Sequence, residues 1–266
     1  MKMMRKIGAL LLAVLFLVSA CAWAEGEPPE APEPPEAPEA PEEPEAPEEP
    51  EAPAEPKKLI ALTFDDGPDK KMTAPTLDVL EKYGVRATFF ILGCKIDEES
   101  APLIERALSL NCEIGYHGWD HRNISKVSLE GIQKHIRKFN EALEKYVHVP
   151  VSVKLVRPPG GHSSKRALRA IEEFGYAMII WEVDSADWKV QKADAINETV
   201  LKKVQDGSII LMHDRHQPTP DALETLIPAL LEQGYELVTV SELLMRNGEE
   251  IQAGKEFRYM RAAAAE

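Results

Sequence analysis

The sequence of 266 residues has no apolar run long enough to cross a bilayer comfortably, no surplus of basic residues and only three cysteines. Its longest apolar stretch, 7–18, falls short of the ~20 residues that a membrane-spanning helix needs. Lys2, Arg5 and Lys6 precede it, so residues 1–24 form the pattern of an export leader and are set aside from the fold. Two processing sites compete. Val18-Ser19-Ala20-Cys21 resembles a lipobox that would make Cys21 a lipid anchor in the membrane, whereas Ala22-Trp23-Ala24 fits ordinary secretion. The short apolar core running straight into a small-small-Cys triplet favours the lipoprotein. The expected location is therefore the cell envelope, anchored at Cys21, or the exterior.

The lack of positive charge is uneven. Residues 25–56 hold 13 Glu and no Lys or Arg, and the leader adds three cations, which leaves −4 of the formal −14 for residues 57–266. A mildly acidic domain without a clustered basic face excludes nucleic acid as a partner. Two cysteines, Cys94 and Cys112, fall inside that domain. One follows the end of a strand and the other begins the next, so a helical crossover would place them at opposite ends of the sheet, beyond disulfide reach. Both are expected as small, partly buried thiols.

The segment 25–56 also lacks large apolar residues and repeats Glu, Ala and Pro, so it can form neither helix nor sheet. Like-charge repulsion and proline density favour an extended linker reaching on the order of 100 Å at ~3.1 Å per residue. From 57 to 246 short apolar runs alternate with amphipathic stretches. Strands are expected at 59–63, 87–92, 113–116, 153–156, 177–181, 208–212 and 236–239, and helices at 74–83, 98–110, 129–146, 165–174, 193–205 and 221–233. Gly84, Gly175 and Gly234 stand where left-handed helix caps belong. Such alternation argues for one α/β domain built on a parallel sheet, closed or nearly closed into a barrel, with a monomer as the expected state. Residues 247–266 are expected as a C-terminal tail on the surface.

In this class of fold, ligands bind beyond the C-terminal ends of the strands. The residues there are Asp65-Asp66, His117 and His121, Arg157, Asp184 and Asp187, and His213-Asp214. Asp-Asp-Gly-Pro alone is also an ordinary turn sequence, and histidines four apart are commonly incidental. Their coincidence on one rim is what chance explains poorly. One helical turn over 117–121 would put both imidazoles on one side. Asp66 then completes a site of two His and one carboxylate with a position open for water.

These residues resemble the motifs of the polysaccharide deacetylases (carbohydrate esterase family 4). Thr-Phe-Asp-Asp-Gly-Pro at 63–68, His-Gly-Trp-Asp-His at 117–121, Arg-Pro-Pro-Gly-Gly at 157–161, Asp-Ser-Ala-Asp-Trp at 184–188 and Leu-Met-His-Asp at 211–214 follow in order over nearly all of the folded part. The resemblance implies a distorted (β/α) barrel of about seven parallel strands and a hydrolase that removes N-acetyl or O-acetyl groups from peptidoglycan, chitin-like or xylan-like polymers. It implies one divalent ion, zinc or else cobalt or nickel, on Asp66, His117 and His121. Asp65 would be the general base with Arg157 as its partner, His213 the general acid charged by Asp187, and Gly160, Trp188 and Leu211 the lining of the substrate groove. Three positions depart from the pattern: Gly118 stands for Ser or Thr, Arg122 for Pro, and Gly160 for a Tyr that would wall the groove.

The chemistry suits these residue types. A bound divalent ion polarises the acetyl carbonyl and acidifies water, a carboxylate takes the remaining proton, and an imidazolium protonates the amine that leaves. His135 and His148 are expected to be solvated or hydrogen-bonded, as are His162 and His216 unless their places close after Arg157 and His213 bring them to substrate, and Trp119 and Trp181 are expected to pack. Other function classes fit less well. A non-haem iron oxygenase uses two His and a carboxylate but has no need of Asp65 and His213. A silent glycan-binding module would have lost one of those two. A hydrolase of small amides or cyclic imides is disfavoured by the leader and linker, which suit a polymer outside the cell.

Overall fold

Every strand pairing in the computed structural model is parallel, and together they curl one nine-stranded sheet into a distorted half-barrel. The structure describes residues 57–263. The leader over 1–24, the linker over 25–56 and residues 264–266 lie outside the described residues. The strands are β1 (Lys58–Asp65), β2 (Thr88–Ile91), β3 (Glu113–Tyr116), β4 (Leu155–Val156), β5 (Ala177–Ile179), β6 (Val183–Asp184), β7 (Ile209–His213), β8 (Tyr235–Leu237) and β9 (Glu256–Phe257). Their order is β6-β7-β1-β2-β3-β4-β5-β9, with β8 beside the first residues of β1. The helices are α1 (Thr73–Tyr83), α2 (Ala101–Ser109), α3 (Leu129–Tyr146), α4 (Lys165–Glu172), α5 (Ala193–Lys203), α6 (Pro218–Glu232) and α7 (Val240–Leu244).

The period-2 alternation of each strand sorts its side chains. On β1, Ile60, Leu62 and Phe64 join the large core shared with the helices, together with Phe89, Ile114, Val156, Met178 and Ile210 from neighbouring strands. Ala61 belongs to a second core inside the barrel with Phe90, Leu155, Ile179 and Ile209, completed by Leu243 and Leu244 of α7. Thr63 and Asp65 share the inward face of Ala61 because they lie two and four residues on. Gly115 follows from the same alternation, since a Cβ there would come within 2.5 Å of the Phe90 ring.

All seven expected strands and all six expected helices are present, and Gly84, Gly175 and Gly234 adopt φ of 62°, 72° and 81° as left-handed caps. Two strands and one helix were not foreseen. β6 and β9 have only two residues each, too short for an alternation to register, and α7 begins at a capping box formed by Thr239 and Glu242 where the last strand was expected to run on. The stretch expected as a surface tail is also corrected. β9 pairs with β5, Met260 donates to the Gly207 carbonyl at 2.9 Å, and Arg261 donates to the Asp206 carbonyl at 2.7 Å. Gly207, at φ 82°, makes this close approach possible, because a Cβ would overlap the Met260 carbonyl. Cys94 and Cys112 are unpaired as expected, but Cys94 is exposed rather than partly buried.

Candidate metal and acid–base site

The register of the two central strands creates the site. β1 and β7 pair so that Asp65 stands opposite His213, and parity points both into a cavity of about 430 Å³ that Asp66, His117, His121, Gly160, Trp181, Asp184, Trp188, Leu211, Arg215 and His216 also line. At Asp66 the strand ends in a left-handed turn, φ 72°, whose carbonyl accepts from Lys95 Nζ at 2.7 Å. Beneath it the buried Asp214 carboxylate accepts from the Thr73 hydroxyl and lies so near Gly67 that a Cβ there would meet it at 2.5 Å.

His117 is buried and directed by its other nitrogen. Nδ1 faces the Arg157 carbonyl at 2.9 Å, which makes it the protonated nitrogen and leaves Nε2 bare, 3.4 Å from Asp66 Oδ1. His121 brings its own Nε2 to 3.2 Å from the same oxygen. The two imidazoles do converge, but not through a helical turn: 117–121 is irregular loop, with Gly118 at φ 92° and His121 at φ 60°. That backbone also explains Gly118, where any side chain would be strained. The ligand atoms of Asp66, His117 and His121 lie within 4.8 Å of one another. Asp66 Oδ1 is buried without a hydrogen-bond partner, and such an orphan between two imidazole nitrogens is what a cation would satisfy. The residues present therefore fit a divalent ion.

Two buried ion pairs flank this trio. Arg157, wholly buried, donates from Nη1 to Asp65 Oδ1 at 2.8 Å and to Thr63 Oγ1 at 2.6 Å, and stacks 4.2 Å from the Phe90 ring centroid. Asp65 Oδ2 is left free, 3.5 Å from His117 Nε2. On the other side Asp187 accepts His213 Nδ1 at 2.8 Å, the His213 backbone N–H at 2.6 Å and the Thr219 hydroxyl at 2.8 Å. Burial, the largest influence on His213, opposes its charged form, but the hydrogen bond and charge of Asp187 more than offset it, so the imidazole is raised above its usual pKa. At Asp66 burial likewise works upward, but the imidazoles of His117, His121 and His213 around it more than offset this and hold the carboxyl well below the usual range.

Every residue singled out for chemistry thus reaches one cavity or directly supports it. Trp188 is 53% exposed at the rim while Leu211 is buried in the wall. Trp181 packs against the core as expected and also lines the cavity, where the Gly160-Gly161 turn lies against it. Gly160 itself is at φ 65°, with His162 only 3.1 Å from where its Cβ would be, so an imidazole occupies part of the space of the missing wall. Arg215 and His216 also line the cavity. Sequence reasoning missed Arg215, Lys95 and Thr219 because nothing in the local pattern separates them from ordinary loop or helix-start residues. His216 had a signal, its place three residues after His213.

A family model for polysaccharide deacetylase matches residues 52–179. A peptidoglycan-N-acetylglucosamine deacetylase of Bacillus cereus is 37% identical over 193 residues, which is 71% of this chain and 89% of that protein. The chain belongs to the polysaccharide deacetylase family. A second family member, the peptidoglycan-N-acetylglucosamine deacetylase of Listeria monocytogenes, is 39% identical over 201 residues, 75% of this chain, although the chain spans only 41% of that protein's length. Among solved structures, a family 4 acetyl xylan esterase from Clostridium thermocellum in complex with a cobalt ion superposes with a TM-score of 0.70 at 35% identity, covering 76% of this chain and 98% of that one. The family match ends at residue 179, before Asp187 and His213, so the pairing of those two stands on its own geometry.

If Asp187 is what raises His213, removing its charge should move the alkaline limit of activity. Asp187→Asn keeps the volume and loses the charge, so the imidazolium is expected to lose its proton at lower pH than in the wild type. The limb of kcat/KM that falls as pH rises should shift down accordingly, which a pH–rate profile of both proteins measures. An unmoved limb would sink the assignment.

Proposed function

We propose that the chain is an exported, metal-dependent deacetylase that hydrolyses acetamido groups of an N-acetylglucosamine-containing envelope polysaccharide, with zinc as the resident ion and cobalt or nickel able to replace it. The observation that carries this reading is the placement of two opposed ion pairs, Asp65–Arg157 and His213–Asp187, on either side of the Asp66, His117 and His121 trio in one cavity. A divalent ion held by the trio would polarise the acetyl carbonyl and lower the pKa of water toward ~7. The chain's own groups supply the rest. Asp65, with Oδ1 tied to Arg157, takes the proton of the attacking water on Oδ2 as the new C–O bond forms. The Gly160 backbone N–H borders the position of the developing oxyanion. His213, with Nδ1 held by Asp187, gives its Nε2 proton to the amide nitrogen as the C–N bond breaks, so acetate and a free amine leave. Trp188 and Leu211 offer a flat and an apolar surface to the sugar and the acetyl methyl.

Acetate release by the purified chain from chitooligosaccharides, peptidoglycan glycan and acetylated xylan tests the reading. Release from the amino-sugar polymers in a metal-dependent manner is expected, and failure to release acetate from any of them rejects it. Anchoring at Cys21 rests on the lipobox ahead of a long acidic linker. Labelled fatty acid should enter the wild type and not Cys21→Ser, and a mature N-terminus at Glu25 without lipid would establish ordinary secretion.

A further inference from the structure

The structure places a cation at the reaction centre that the chemistry above does not use. Arg215 follows His213 by two residues on the rim of the cavity, and its Nη1 donates to Asp66 Oδ2 at 2.9 Å. That hydrogen bond fixes the guanidinium beside the trio without hiding it, for the side chain remains 46% exposed. No other Arg215 nitrogen has a hydrogen-bond partner among the described residues, so one edge of a planar fork of donors is held and the rest is unpaired at the rim of the cavity.

The charge around Arg215 says what it would bind. Three carboxylates line the cavity, Asp65, Asp66 and Asp184. Asp65 is already matched by Arg157, and Asp184 accepts the Ala186 N–H at 2.8 Å. Asp66 is the partner both of Arg215 and of any divalent ion, and its single negative charge cannot offset both. With a divalent ion held, the charges of the ion and Arg215 together still exceed those of Asp66 and Asp184 by one, a positive surplus that a neutral N-acetylglucosamine ring does nothing to use. A guanidinium fork with free donors in a site of surplus positive charge matches a carboxylate in both geometry and sign.

We propose that Arg215 is a specificity-determining residue that recognises a carboxylate on the substrate, so the domain favours an N-acetylated glycan bearing a carboxyl group on the reacting ring or the one adjoining it. This deepens the proposed function and rests on it. Arg215 touches Asp66, so the carboxyl it meets must lie close to the acetamido group, as a carboxyl-bearing ether at the neighbouring ring position does. Discrimination then arises from pairing one charge against leaving that charge without a partner.

The test compares kcat/KM of the zinc-loaded chain, with metal content measured, on three glycans. These are a chitooligosaccharide, an oligosaccharide of alternating N-acetylglucosamine and N-acetylmuramic acid, and that same oligosaccharide with its lactyl carboxyls converted to methyl esters. The wild type should favour the free acid over its ester, and Arg215→Gln should lower that acid-to-ester ratio by about tenfold to a hundredfold, mainly through KM, with partial recovery in Arg215→Lys. Taking the ratio cancels any change at the trio that affects both substrates alike. A wild-type ratio near one, or a ratio the same in Arg215→Gln, overturns the proposal. So does a variant whose only change is lower metal content, which would make Arg215 a positioning residue for Asp66. No acetate from any of the three glycans would reject the deacetylase reading instead, so the two failures are distinguishable.

Discussion

His213→Ala is expected to lower turnover on an N-acetylated sugar by about 10² to 10⁴, and to lower it much less on an activated acetate ester. An amine cannot leave as its anion, so amide cleavage requires a proton at nitrogen when the C–N bond breaks, whereas the alkoxide of an activated ester departs without one. His213 is placed to give that proton: Nδ1 is committed to Asp187 at 2.8 Å, so Nε2 is the nitrogen that meets the cavity. Asp65→Asn should behave differently. It should lose a comparable factor on both substrates, because both need water deprotonated, and it should still hold metal, because Asp65 is engaged by Arg157 outside the ligand trio. Steady-state rates of both variants on the two substrates, with metal content measured in parallel, check this. Equal damage to ester and amide cleavage in His213→Ala would assign it to binding rather than to proton donation.

Removal of the metal should abolish activity altogether. After exhaustive chelation the wild type is expected to show no acetate release, and zinc or cobalt should restore it. His117→Ala should not be restored, because its bare Nε2 is one of three ligand atoms gathered among the described residues and its burial keeps water from taking its place. Loss at His121 should be less complete, since that side chain is 48% exposed on a loop and water can take its place. Elemental analysis of the three proteins separates these outcomes from simple unfolding, which circular dichroism would register. Full turnover by a metal-free preparation would remove the ion from the reaction.

The sequence by itself determined the class of fold and the chemistry-bearing residues, for identifiable physical reasons. Alternating apolar runs and amphipathic stretches demand a parallel sheet with crossover helices. Such a sheet gathers the residues that follow its strands, so Asp65, Asp66, His117, His121, Arg157, Asp187 and His213 could be named from position alone. Their types fit metal-assisted acid–base hydrolysis, the reaction that the resemblance to the polysaccharide deacetylases implies. What only the tertiary structure decided is how these residues meet. The register that sets Asp65 opposite His213 depends on two segments nearly 150 residues apart, and the loop that joins the two histidines takes left-handed backbone that local propensity disfavours. β6 and β9 have two residues each, below the length at which periodicity exists, so their strand character comes from neighbours already in place. Arg215, Lys95 and Thr219 carry no local signal, because each acts through a hydrogen bond to a residue distant in sequence. A side chain's chemistry is written in its type, but its partner is chosen by the packing of the whole sheet.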